Sequence, residues 1–86
     1  MIEVKRKNIN EFIVMVEEDS SRTKHLVTVD DEYYEKLTQE KITKEELIKR
    51  SFEFLLRRES KESILSRFNL KVINRYFQEY ESEIKP

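Results

Sequence analysis

Phe12-Ile13-Val14-Met15-Val16 leads into the polar run Glu17-Glu18-Asp19-Ser20-Ser21-Arg22. Thr23-Lys24-His25-Leu26-Val27-Thr28-Val29 then follows. The first run is β-branched-rich and apolar on both faces, as in a central strand or a strand at a dimer interface. Thr23 to Val29 forms the return strand after this polar turn, and together the two read as an antiparallel hairpin. With no glycine in the chain, the connection is expected to be a four- to six-residue loop, because tight primed turns favour Gly. Ile2 and Val4 alternate with Glu3 and Lys5, which adds a short third strand at the N-terminal side.

Beyond Asp30 the apolar period becomes helical. Asp30 or Asp31 is placed to cap a short helix with Tyr33, Tyr34 and Leu37 on one face. Thr43-Lys44-Glu45-Glu46 is a capping box, and Ile42 and Leu47 flank it as a hydrophobic staple. The helix it starts should run to about Arg58. Its apolar set, Leu47, Ile48, Phe52, Phe54, Leu55 and Leu56, is too wide for an ordinary surface helix. Two short helices are expected after it, broken near Phe68-Asn69. Ser60 caps the first, with Ile64, Leu65 and Phe68, and Asn69 the second, with Leu70, Val72, Ile73, Tyr76, Phe77 and Tyr80.

The expected fold is therefore α+β: an N-terminal antiparallel hairpin, or a three-stranded sheet, then three to four α-helices. It forms one domain over 1–86, with β-structure in 1–29 and helix in 30–86. An 86-residue chain buries roughly 60% of its unfolded surface. Cysteine is absent, so neither disulfides nor thiolate metal sites assist. The 37% apolar share consists of large side chains and suffices for one core. No secretory signal, transit peptide or membrane span is recognisable, and a cytoplasmic location is expected.

The missing glycine also limits the chemistry. Phosphate-cradling loops, dinucleotide fingerprints and nucleophile elbows all require it. His25 is the only histidine, and it lies within a strand where a surface or interface role is the usual one. The serines lack a context that would activate a hydroxyl. Glu17-Glu18-Asp19 lacks the alternating ligands and glycine of a calcium loop. No catalytic, cofactor-binding or metal-binding residue is assigned, and an enzyme is not expected.

Charge is segregated along a chain of formal net charge −1. Residues 30–48 carry seven acids and three bases, and residues 49–75 three acids and eight bases. Such a segregated dipole can steer association with a charged partner, and acidic helix starts with basic helix ends that complement the helix dipoles give the commoner reading. The sequence pI of about 5.9 is well below that of a basic nucleic-acid binder.

His25 to Leu37, with Thr43 to Arg50, resembles the ribbon-helix-helix family of prokaryotic DNA-binding repressors and antitoxins. The resemblance covers residues 24–58. It implies a ribbon of two paired strands in the major groove, with Lys24, Leu26 and Thr28 facing the bases. Thr43 and Lys44 would lie by the backbone, at a helix N-terminus suited to phosphate. The chain departs from the pattern in a shorter first helix, a preceding strand able to occupy the ribbon edge, and a single cation in the groove-facing set.

Arg58 to Leu70, continuing through Ile73, Arg75-Tyr76-Phe77 and Glu79-Tyr80-Glu81, is similar to a family of small uncharacterised prokaryotic proteins with a hairpin-plus-helices layout. That likeness runs from about residue 12 to residue 84 and implies no activity. The expected function is a small non-enzymatic protein-interaction domain that self-associates, with a homodimer formed through the sheet or the central helix. The alternative is a ribbon-helix-helix-like DNA-binding regulator. No cofactor and no membrane partner are expected.

Overall fold

The computed structural model describes residues 1–86. β1 (Ile2–Arg6), β2 (Glu11–Glu18) and β3 (Ser21–Thr28) form an antiparallel meander. Phe12, Val14 and Val16 are fully buried, whereas Ile13 and Met15 lie half-buried on the opposite face. The register places Phe12 beside Val27 and Val14 beside both Val4 and His25, so one face is continuously apolar.

The β2–β3 connection is tighter than the sequence implies. Glu18 pairs directly with Ser21, leaving Asp19 and Ser20 as a two-residue turn with φ of 52° and 65°. Both central residues of such a turn need positive φ. Asp tolerates that region through local side-chain bonding, and the eight paired positions on either side hold Ser20 there.

α1 (Asp31–Thr38) and α2 (Lys44–Leu56) follow, and then the larger correction to the expected order. Residues 60–68 do not form a helix. A 3₁₀ turn at Lys61–Ser63 leads to a fourth strand, β4 (Arg67–Asn69), which pairs parallel with β3 as Leu26–Arg67, Val27–Phe68 and Thr28–Asn69. The sheet is thus mixed, in the order β1-β2-β3-β4, and β-structure is not confined to residues 1–29. The apolar spacing Ile64, Leu65, Phe68 fits a helix, but a single isolated turn is not cooperative. The hydroxyls of Ser60, Ser63 and Ser66 also compete with helical bonding, and Ser60 bonds Ser63 instead of capping a helix. Phe68 gains a place beside Val27 and Phe52 in the core.

The remainder is a 3₁₀ turn (Leu70–Val72) running into α3 (Ile73–Tyr76), and then α4 (Tyr80–Ile84). The helix expected from Asn69 to Tyr80 is interrupted where Phe77 turns extended. α4 packs on α2 through Tyr80, whose ring meets Phe54 edge-on at 5.2 Å. Arg58 lies 3.6 Å over the Phe54 ring and pairs with Glu83 and Glu79. A single core of 17 residues includes Val14, Val27, Leu47, Phe52, Leu70 and Tyr80. The shortest dimension is 18 Å, room for a sheet and one helical layer. Ile13, Met15 and Leu26 are not part of that core, so the other sheet face looks outward. No helix is long and apolar enough to cross a membrane.

Candidate functional site

A groove of about 310 Å³ lies between the end of α2, the segment entering β4, and α3. Leu55, Ile64, Phe68 and Ile73 form its floor and are each at least nine-tenths buried. Leu65 and Tyr76 rise at its edges, 48% and 69% exposed, and Val72 and Phe77 complete the apolar wall. Glu59 and Ser63 are the only polar lining residues. Burial pushes the Glu59 carboxyl above the usual carboxylate range.

Local chemistry builds these walls. The Asn69 side chain accepts from the Lys71 backbone N–H at 3.1 Å, which starts the turn carrying Val72. Asn69 also donates to Asp30 at 3.2 Å, tying β4 to the entry of α1. His25, 2% exposed, determines the placement of Leu65. Its Nδ1–H donates to the Leu65 carbonyl at 2.7 Å, and Nε2 bonds the Thr23 hydroxyl at 2.8 Å. The expected surface or interface histidine is thus an internal bracket, packed edge-on against Phe52 at 5.3 Å. Its signal was weak in the sequence because the bonding partner lies forty residues away.

The groove lies within the basic segment of the chain. Arg58, Lys61, Lys71 and Arg50 are engaged by carboxylates. Arg57, Arg67 and Arg75 are exposed, have no carboxylate within 4.0 Å, and are close in the chain to lining residues.

The residues selected through the ribbon-helix-helix resemblance are only partly assembled. Lys24, Leu26 and Thr28 do share the outward sheet face, opposite Met15, Ile13 and Glu11. Thr43 is occupied as the cap of α2, its hydroxyl accepting from Glu46 N–H at 3.0 Å. Lys44 is 8% exposed, and its ammonium is held by Asp31, the Ile9 carbonyl and the Asn10 side chain. β3 is an interior strand, bonded to β2 on one side and β4 on the other. A ribbon formed from two copies of β3 would require β4 to leave. The groove residues were visible in the sequence as core candidates, and only the tertiary arrangement shows the channel between them. Compared with family models, curated proteins and solved structures, the chain matches none.

Proposed function

We propose that this chain is a small, non-enzymatic protein-interaction domain that self-associates and takes an apolar, acidic segment of a partner polypeptide into the groove. The carrying observation is the groove itself: eight of its ten lining residues are hydrophobic, and Leu65 and Tyr76 stand exposed at its edges. Its volume is at the lower end of the range for binding pockets, enough for a few apolar side chains. Exposed aromatic and aliphatic anchors around a preformed depression are typical of recognition surfaces. Arg57, two residues from Leu55, and Arg75, next to Tyr76, supply the charge complementarity that favours acidic flanks on the bound segment.

Selection of random peptides displayed on phage against the intact protein tests this. Enriched sequences should combine apolar anchors with Asp or Glu, and their binding should weaken as salt is raised. Replacing Leu65 and Tyr76 together by Ser should reduce affinity about tenfold or more, as loss of anchor contacts does. Both side chains are exposed, so the fold should survive. Failure to enrich any sequence, or undiminished binding to the double variant, would overturn the groove as the binding surface.

A further inference from the structure

The geometry points to β1 as the self-association surface: a second copy pairs antiparallel along its free edge, about a two-fold axis at Val4, to make one continuous eight-stranded sheet. Pairing through β1 rests on the self-association already proposed for the domain and adds its surface and register.

β1 is an edge strand, bonded only to β2. The Glu17 N–H donates to the Met1 carbonyl, and the Lys7 N–H to the Glu11 carbonyl. In the register that pairs Ile2 with Val16 and Arg6 with Phe12, antiparallel alternation then turns the odd-numbered backbone groups toward β2. The N–H and C=O groups of Ile2, Val4 and Arg6 therefore point away from the sheet. A second β1 centred on Val4 matches them all: Val4 meets the partner's Val4, and Ile2 meets the partner's Arg6. These are hydrogen-bonded pairs, so the intervening Glu3 and the partner's Lys5 form a non-hydrogen-bonded pair, in which side chains approach more closely.

Charge selects this register over its neighbours. Glu3 and Lys5 are exposed on the outward face, where they pair along the strand at 3.7 Å, and about Val4 each also faces the opposite charge on the partner, which gives two cross-strand pairs by symmetry. Moving the axis to Glu3 would set two carboxylates face to face, and moving it to Lys5 two ammonium groups. Like charges directly opposite destabilise a sheet and unlike charges stabilise it. The edge carries no proline and lacks the bulge or covering strand that usually blocks such pairing. The same patch serves both subunits, as a closed two-fold dimer demands. Five residues per side make a small interface, in the range of transient associations, so dissociation is expected in the micromolar range.

Sedimentation equilibrium of the full chain, with hydrogen exchange of the Ile2, Val4 and Arg6 amides, tests the inference. Glu3→Lys and Lys5→Glu should each weaken dimerisation about tenfold by placing like charges opposite one another. The double variant Glu3→Lys/Lys5→Glu should return to within roughly threefold of the parent, since the pairs are restored with exchanged polarity. Val4→Pro removes an outward N–H and no internal bond, and should abolish the dimer while leaving the circular dichroism unchanged. The three amides should exchange more slowly as concentration rises. A monomer at every concentration would overturn self-association altogether. A dimer indifferent to these substitutions would leave self-association standing and overturn the β1 edge.

Discussion

Thr43 illustrates how one side chain defines an element. Its hydroxyl satisfies the Glu46 N–H, one of the four donors that a helix start leaves without partners. The reciprocal half of the expected capping box is absent, because the Glu46 carboxylate bonds Arg50 at 2.9 Å, one turn along α2. Thr43→Ala should therefore cost about 1 kcal/mol, the loss of a single cap bond. Leu55→Ala removes a core side chain that is 4% exposed and should cost roughly 2–5 kcal/mol. Chemical denaturation of both variants checks the contrast. Equal, small losses would contradict the placement of α2. Lys44, next to Thr43, shows the opposite use of a charge, since it holds the β1–β2 loop to the start of α1.

Among the elements, β4 depends most on its neighbours. Three residues form no independent strand, and a parallel pair is slightly weaker per residue than an antiparallel one. It stays docked because Leu26 N–H donates to the Ser66 carbonyl at 2.8 Å, His25 holds the Leu65 carbonyl, and Phe68 enters the core. His25→Leu leaves the Leu65 carbonyl and the Thr23 hydroxyl without their partner. The substitution should cost about 1–3 kcal/mol, the usual penalty for orphaned polar groups. Hydrogen exchange should localise the effect, with the Leu26 amide becoming faster while the β1–β2 ladder keeps its protection. A uniform loss across all four strands would mean that His25 serves general packing instead of docking β4.

Across the whole molecule, α4 closes the helical layer by touching α1 and α2. The Tyr80 hydroxyl lies 2.6 Å from the Ser51 hydroxyl inside the core, and the Tyr33 hydroxyl donates to Glu81 at 2.9 Å. Burial raises the pKa of both phenols. The Tyr80 charge and the hydrogen bond to Glu81 raise Tyr33 further, whereas the Ser51 bond partly offsets the rise at Tyr80. A phenol whose folded pKa is raised holds its proton where the unfolded chain has released it. Its contribution to stability is complete below the ordinary value of about 10 and falls as pH rises beyond that value. Alkaline spectrophotometric titration should show Tyr33 and Tyr80 ionising only as the fold is lost. Tyr33→Phe and Tyr80→Phe should each reduce that delayed step. Early ionisation of Tyr80, with the fold intact, would contradict its burial, and early ionisation of Tyr33 would contradict its hydrogen bond to Glu81.

Periodicity and local capping were enough to place β1, β2, β3 and α2 from the residues alone. Phe12 to Val16 is a β-branched-rich apolar run returned by Thr23 to Val29 across a polar turn, Leu47 to Leu55 repeats helically, and Thr43 carries its cap partner only three residues away. Such signals act over a few positions, so no distant contact is needed to read them. The tertiary structure decided the rest. Ile64-Leu65-Ser66-Arg67-Phe68 has a helical apolar spacing, yet becomes extended because β3 offers backbone partners and Phe52 and Val27 offer Phe68 a place. Asp19 and Ser20 accept positive φ because the flanking ladder imposes it. The groove arises where Leu55, Phe68 and Ile73 converge from three segments. Local propensity is a matter of tenths of a kcal/mol per residue, whereas burying one large apolar side chain contributes roughly 1.5–3 kcal/mol. Where the two disagree in this chain, the long-range burial prevails.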